Sequence, residues 1–297
     1  MRIDELLRAS AGPLFSFEFG PPRTPEAELA LWQAVEELRA LDPAFVSVTW
    51  GAGGSTRGAT LETVRRMHEL HGLEAMPHLT CTGSTRDELR SLVRAIAADG
   101  IDNLLVLRGD PPRDGADVRE LSGAAELAAL AAGEAGLCVV GACYPESREL
   151  DYVRAKVDAG VSVLITQLFF DNAHYLRFVD RLRAAGIDVP VLPGIIPVTN
   201  VGQLQRMVSM CGASIPPALE RELGLRADDP RAVADFGVAY ATAQCAQLLA
   251  AGAPGIHLFT LNRSPATRAI VSALRSGHAA RPARDSARAA RTGGLRR

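Results

Sequence analysis

Runs of β-branched and aromatic residues alternate along this chain with longer stretches whose apolar positions recur every three to four residues. That is the pattern of parallel strands joined by crossover helices. Eight runs stand out: LFSFEF (14–19), FVSVTW (45–50), EAMPHLT (74–80), NLLVLRG (103–109), LCVVGACY (137–144), VLITQLFF (163–170), VPVLPGI (189–195) and IHLFTLN (256–262). A helical pattern follows each, such as PEAELALWQAVEELRAL after the first and RDELRSLVRAIAADG after the third. Gly100, Gly160, Gly186 and Gly252 fall between a helix and the next strand, where a left-handed cap is needed. Eight such units predict an α/β fold, an eight-stranded parallel (β/α)8 TIM barrel forming one domain over residues 1–275. An open doubly wound sheet is the alternative. The segment from Gly212 to Asp229 predicts an extra helical excursion before the last strand.

Composition narrows the class. With 297 residues, 47% apolar and 22% charged, the chain reads as soluble and globular. A formal charge of −2 argues against a nucleic-acid partner. No apolar run reaches the ~20 residues a membrane span needs, and MRIDELLRAS carries acids where a signal peptide is apolar, so a cytoplasmic protein without a membrane partner is expected. The five cysteines form no CxxC pair, which points to neither a disulfide framework nor a zinc knuckle. Residues 276–297 hold six arginines against one acid, Asp285, and read as a disordered tail. Lysine occurs once, at Lys156, in a chain whose default cation is arginine.

In a parallel barrel chemistry collects at the carboxyl ends of the strands. Those ends here carry Glu18, Thr49, His78, Arg108 with Asp110, Tyr144, Gln167, and Asn262 with Arg263. Alternation along the first strand puts Phe15, Phe17 and Phe19 on one face and Ser16 and Glu18 on the other. If the aromatics face the helices, Glu18 points into the barrel mouth. Desolvation there would lift its pKa from about 4.3 towards neutrality and make it a proton donor. The competing reading is a solvated glutamate, or one paired with Arg23.

In LRGDPP, Gly109 between Arg108 and Asp110 either opens the backbone to a polar ligand or shapes an internal ion pair. WGAGGST resembles a phosphate cradle but lacks the lysine of a P-loop. His78 is open between ligand, acid and core histidine; His68 and His71 read as surface residues, and His257 lies early in its strand, on the stability face. No metal site and no GxSxG nucleophile elbow is indicated, so a polar barrel mouth points to an organic cofactor.

Nine motifs in order, FSFEFGPP, FVSVTWGAGGST, PHLTC, LRGDPP, YPE, KVDAG, ITQLFFD, PGIIPVT and FTLNRSPAT, resemble those of the methylenetetrahydrofolate reductase family. The resemblance runs from about Leu14 to Leu274. It implies a barrel that binds FAD, is reduced by NADH or NADPH, and then reduces 5,10-methylenetetrahydrofolate to 5-methyltetrahydrofolate in a ping-pong cycle, within one-carbon metabolism and methionine biosynthesis. It also implies a homo-oligomer. By resemblance Glu18 is the general acid that opens the folate's imidazolidine ring, and Asp110 is catalytic beside both flavin and pterin. Trp50, His78, Arg108, Gly109, Ala124, Tyr144, Glu149 and Lys156 fall on cofactor-binding positions. Thr49, Gln167, Gln203 and Arg263 fall on folate positions.

The chain departs from the family pattern in places. YPESRELDYVRAK is shorter than usual and lacks its histidine, Glu149 replaces an aspartate, Gly20 replaces an aromatic, and Met207 stands where an aromatic covers the folate. Two competing functions are a flavin-free pterin-binding methyltransferase barrel and a non-catalytic folate-binding barrel.

Overall fold

The computed structural model describes residues 1–51, 56–110 and 120–279. The chain begins with α1 (Ile3–Ala9) and then alternates β1 (Leu14–Phe19), α2 (Pro25–Arg39), β2 (Phe45–Val48), α3 (Arg57–Glu69), β3 (Ala75–Thr80), α4 (Arg86–Ala98) and β4 (Asn103–Leu107). It continues through α5 (Ala124–Ala135), β5 (Cys138–Cys143), α6 (Asp151–Asp158), β6 (Val161–Thr166), α7 (Asn172–Ala184), β7 (Val191–Leu192) and β8 (Gly194–Ile195). Three helices, α8 (Val201–Cys211), α9 (Pro217–Gly224) and α10 (Pro230–Ala250), precede β9 (Gly255–Phe259) and the last helix, α11 (Pro265–Ala279). The tail expected from residue 276 thus overlaps α11, and residues 280–297 lie outside the described residues. Among the described residues no helix is long and apolar enough to cross a membrane.

All pairings are parallel, in the order β7-β6-β5-β4-β3-β2-β1-β9-β8. The expected eight strands appear as nine because the run 189–195 is split at Pro193, which has no N–H to give a ladder. Its first half pairs with β6 (Ile165 beside Leu192) and its second with β9 (Gly194 beside His257), so the split strand closes the ring. The Pro193 carbonyl still accepts the His257 N–H at 3.0 Å. The sharp jog at Gly194 brings the chain too close to its neighbours for any side chain: a Cβ there would sit 2.3 Å from the Thr166 carbonyl oxygen and 2.7 Å from the Phe259 ring.

Two hydrophobic layers form, as the strand period dictates. Outside the sheet Phe15, Phe17 and Phe19 pack with Leu31, Val35, Leu38 and the buried faces of the other crossover helices. Inside, Phe45, Met76, Leu105, Cys138, Val140, Val163, Ile165 and Leu192 form a floor, and Ile3 of α1 joins them. The α1 plug has no counterpart in the strand-helix pattern of the sequence. Buried Asn103 holds it, accepting the Ile3 N–H at 2.7 Å and donating to the Met1 carbonyl at 3.0 Å and Glu74 at 2.9 Å. Gly100, Gly160, Gly186 and Gly252 all take positive φ, as the cap positions require. The excursion forms as expected, with α8, α9 and the start of α10 burying their own cluster around Leu204, Leu219, Leu223 and Val233.

Replacing Gly194 with Ala forces the closing strand away from β6 or β9. Urea unfolding should show a loss on the order of 3 kcal/mol, and an unchanged midpoint would contradict this account of closure.

Candidate active site

Glu18 lies inside the ring, where strand alternation sends it, with its side chain 18% exposed. Its Oε2 is 3.5 Å from Nε2 of His78 on β3 and 3.6 Å from Nε2 of His257 on β9. The carboxylate thus sits between two imidazoles. His257 is wholly buried, not on the stability face where its place early in the strand put it. Stagger between neighbouring strands causes the correction: His257 is level with Ser16 of β1, one inward position below Glu18. Its Nδ1 is 2.8 Å from the Ser16 hydroxyl and its Nε2 is 3.5 Å from that of Ser47. Phe45 stacks on the ring at 5.8 Å and Phe259 meets it edge-on at 5.5 Å.

His78 is also buried, and its Nε2 makes no hydrogen bond. Burial pushes its pKa below the ordinary imidazole value; the Glu18 carboxylate opposes that shift and His257 adds to it. The backbone around Glu18 is clamped to the last strand. Thr260 donates to the Glu18 carbonyl through its N–H at 3.2 Å and its hydroxyl at 2.6 Å. Leu261 and Asn262 then take left-handed φ of 52° and 57°, a conformation strained for Leu. Asn262 offsets it by bracketing the Gly20 peptide, accepting its N–H at 2.8 Å and donating to its carbonyl at 2.9 Å.

Further round the ring, over the ends of β4 and β5 and against α5 and α6, lies a cavity of about 480 Å³. Arg108, Ala124, Tyr144, Tyr152 and Lys156 line it. The sole lysine is buried, donates to the Ala142 carbonyl and lies 4.8 Å over the Tyr152 ring. Burial pushes its pKa down, opposed by the Cys143 thiol, which burial raises to about 12. Among the described residues no carboxylate pairs with it. The Tyr152 hydroxyl accepts the Tyr144 N–H at 3.0 Å, fixing the short segment between them. Arg108 and Asp110 are exposed at the rim and both act electrostatically on the Tyr144 phenol, whose pKa burial raises.

Gly109 takes φ of +83°, and a Cβ there would sit 2.5 Å from the Thr82 hydroxyl, so this glycine serves close backbone packing on β3. A second cavity, about 260 Å³, adjoins the first through Tyr144 and is lined by Glu146, Gln167 and Cys211. Gln167 accepts the Leu168 N–H at 2.9 Å. Gln203 and Met207 line an apolar slot with Leu168, Ile196 and Leu261.

The other expected site residues scatter more widely. Thr49 is half-buried near Gly20, with its carbonyl accepting the Thr60 hydroxyl. Arg263 is exposed just past Asn262. Trp50 packs into the outer core, 8% exposed, and Glu149 is exposed and lines none of these cavities. Residues 52–55 of WGAGGST and the two prolines of LRGDPP lie outside the described residues. Ser16, Ser47, Tyr152 and His257 are the site groups that the sequence reading missed.

A TIM barrel whose mouth holds a carboxylate between imidazoles, with a cavity over β4 and β5 whose lysine has no carboxylate partner among the described residues, has the frame of a barrel enzyme. The family model described as methylenetetrahydrofolate reductase matches residues 2–275, and the chain belongs to that family. It is 39% identical over 267 residues to 5,10-methylenetetrahydrofolate reductase of Escherichia coli, covering 87% of this chain and 90% of that protein. It is 35% identical over 290 residues to methylenetetrahydrofolate reductase (NADH) 1 of Zea mays, covering 88% of this chain. The chain spans about half the length of that plant relative, 49%. Among solved structures, an uncharacterized protein from Clostridium thermocellum that binds two copies of 5-methyl-5,6,7,8-tetrahydrofolic acid superimposes with a TM-score of 0.66. The match covers 92% of this chain and 98% of that one at 16% identity, a likeness of fold alone.

Burial of His78 has a consequence for stability. Its folded-state pKa lies below the 6.5 of the unfolded chain, so below about pH 6.5 the unfolded state binds the extra proton. The stability gained by keeping the ring neutral is complete above that pH and is lost as pH falls towards the folded-state value. Urea midpoints should drop on acidification below about pH 6.5, and drop less in His78→Gln.

Proposed function

We propose that this chain reduces 5,10-methylenetetrahydrofolate to 5-methyltetrahydrofolate with electrons from NADH or NADPH, using FAD in a ping-pong cycle. The observation that carries the proposal is Glu18, held inside the barrel mouth between His78 and His257; a separate cavity over β4 and β5 holds Lys156, which among the described residues has no carboxylate partner. FAD, when bound, supplies hydride acceptance from the nicotinamide and hydride donation to the folate. The donor set fits it. Lys156 and Arg108 would face its anionic diphosphate and Tyr144, Tyr152 and Ala124 its apolar surfaces, while His78 Nε2, which makes no hydrogen bond, is a buried polar atom beside Glu18. Asp110, exposed at the rim, would favour a cationic folate, and Gly109 lets the 108–110 turn lie against Thr80 and Thr82 at the end of β3.

The protein's own step is a proton transfer. Glu18 gives its proton to the amine nitrogen that leaves when the folate's five-membered ring opens, and the carboxylate that results faces the iminium cation so formed. Gln167, Gln203, Met207, Thr49 and Arg263 would orient the folate, and the methionine thioether would pack on its ring where the family has an aromatic. The Zea mays relative carries NADH in its name, which makes NADH the first donor to test.

The purified protein should be yellow or become so with FAD, absorbing near ~450 nm. Anaerobic NADH should bleach it and methylenetetrahydrofolate should restore the colour. Protein that stays colourless with excess FAD would overturn the proposal. In Glu18→Gln, folate reduction should fall by about 10²- to 10⁴-fold while bleaching by NADH survives.

A further inference from the structure

We infer that His257 is the positioning residue of the Glu18 carboxyl: it holds Oε2 as a standing acceptor and so confines the exchangeable proton to Oε1. The inference rests on the reading of Glu18 as proton donor and adds how that donor is aimed. In one turnover Glu18 must be both a carboxylic acid and a carboxylate. An acid free to rotate, or to carry its proton on either oxygen, would present the wrong atom to the substrate half of the time.

Both imidazoles approach the same oxygen, Oε2, and among the described residues no hydrogen bond or ion pair reaches Oε1. Of the two, only His257 has its other ring nitrogen fixed by a buried partner, the Ser16 hydroxyl at 2.8 Å. When that hydroxyl donates to Nδ1, the neutral ring carries its proton on Nε2, aimed at Oε2 and the Ser47 oxygen. An N–H there serves both states of Glu18. It donates to the carbonyl oxygen of the acid and to one oxygen of the carboxylate, with no proton changing place on His257.

Phe45 and Phe259 hold the ring plane. A separation of 3.6 Å is long for such a bond, as in many ligand-free sites, and shortens as a ligand excludes water from the rim.

The choice of amide replacement tests the aim directly, because a Gln side-chain N–H can reach near the place of Nε2 and an Asn side chain cannot. His257→Asn should lower kcat for folate reduction about 10- to 100-fold, with the folate KM within about threefold and NADH-driven bleaching unchanged. His257→Gln should recover most of that loss, Ser16→Ala should give a smaller loss of the same kind, and His257→Asn should add nothing in a Glu18→Gln background. Equal losses in both half-reactions, or equal losses for Asn and Gln, would overturn the inference.

A second measurement needs no cofactor. In ¹⁵N-histidine spectra of the full chain, Ser16→Ala and Glu18→Gln should each move the His257 ring signals and leave those of His68, His71 and His174 in place. Unmoved His257 signals would sink the inference, whatever the kinetics. Protein that binds no flavin would instead sink the functional reading while this coupling is still observed.

Discussion

Inside the barrel the wall changes from hydrocarbon to hydrogen-bonding groups across two levels, Ser16 with His257 and then Glu18 with Ser47, and the Glu18 carboxylate stands at that change. Phe45, Met76, Leu105, Val140, Val163, Ile165 and Leu192 close the rest of the interior with Ile3 as a plug. The imidazoles that line this change are buried polar groups and must find protein partners. A polar group buried without a partner costs about 1–3 kcal/mol. His257 meets that demand through Ser16 and Ser47, whereas His78 leaves Nε2 unsatisfied. An orphan at the inner edge of the mouth is a cost that a bound ligand would remove.

That boundary depends in turn on closure. His257 reaches Glu18 only because β9 is pinned between β1 and the second half of the split strand, with Gly194 and Ser16 on either side of it. The missing N–H of Pro193 and the missing Cβ of Gly194 let one chain segment pair first with β6 and then with β9. Just past the end of β9, Thr260 and Asn262 tie the rim to β1, so the carboxylate is held through its own backbone as well as through its head. Geometry at the site is thus a property of the ring and not of one loop.

How much of this was legible in the sequence follows from which physical rules are local. The aromatic alternation of LFSFEF placed Phe15, Phe17 and Phe19 outside and Glu18 inside, because side-chain period along a strand is set by the backbone alone. Glycines after helices marked their caps for the same reason. Position along a strand did not translate into height in the barrel: His257 is third in β9 yet level with Ser16, since stagger arises from pairing between strands far apart in sequence. The α1 plug was missed because seven residues carry too little periodicity to separate from a loop. Trp50 illustrates the parity rule. Phe45 faces inward on β2 and Trp50, five residues on, falls on the opposite face and packs outside.

The lone lysine shows the same tension between folding and function in another place. Arginine serves everywhere else on this chain, and its surface copies form ion pairs such as Arg90 with Glu134 and Arg65 with Asp99. Among the described residues Lys156 has no such partner, and burial disfavours its charged form. A guanidinium would need more donors satisfied than the Ala142 carbonyl and the Tyr152 face provide, whereas an ammonium is compact enough to sit there and still present charge to the cavity. A cation kept at a cost to stability, in a pocket of about 480 Å³, makes physical sense where an anion arrives to share that pocket.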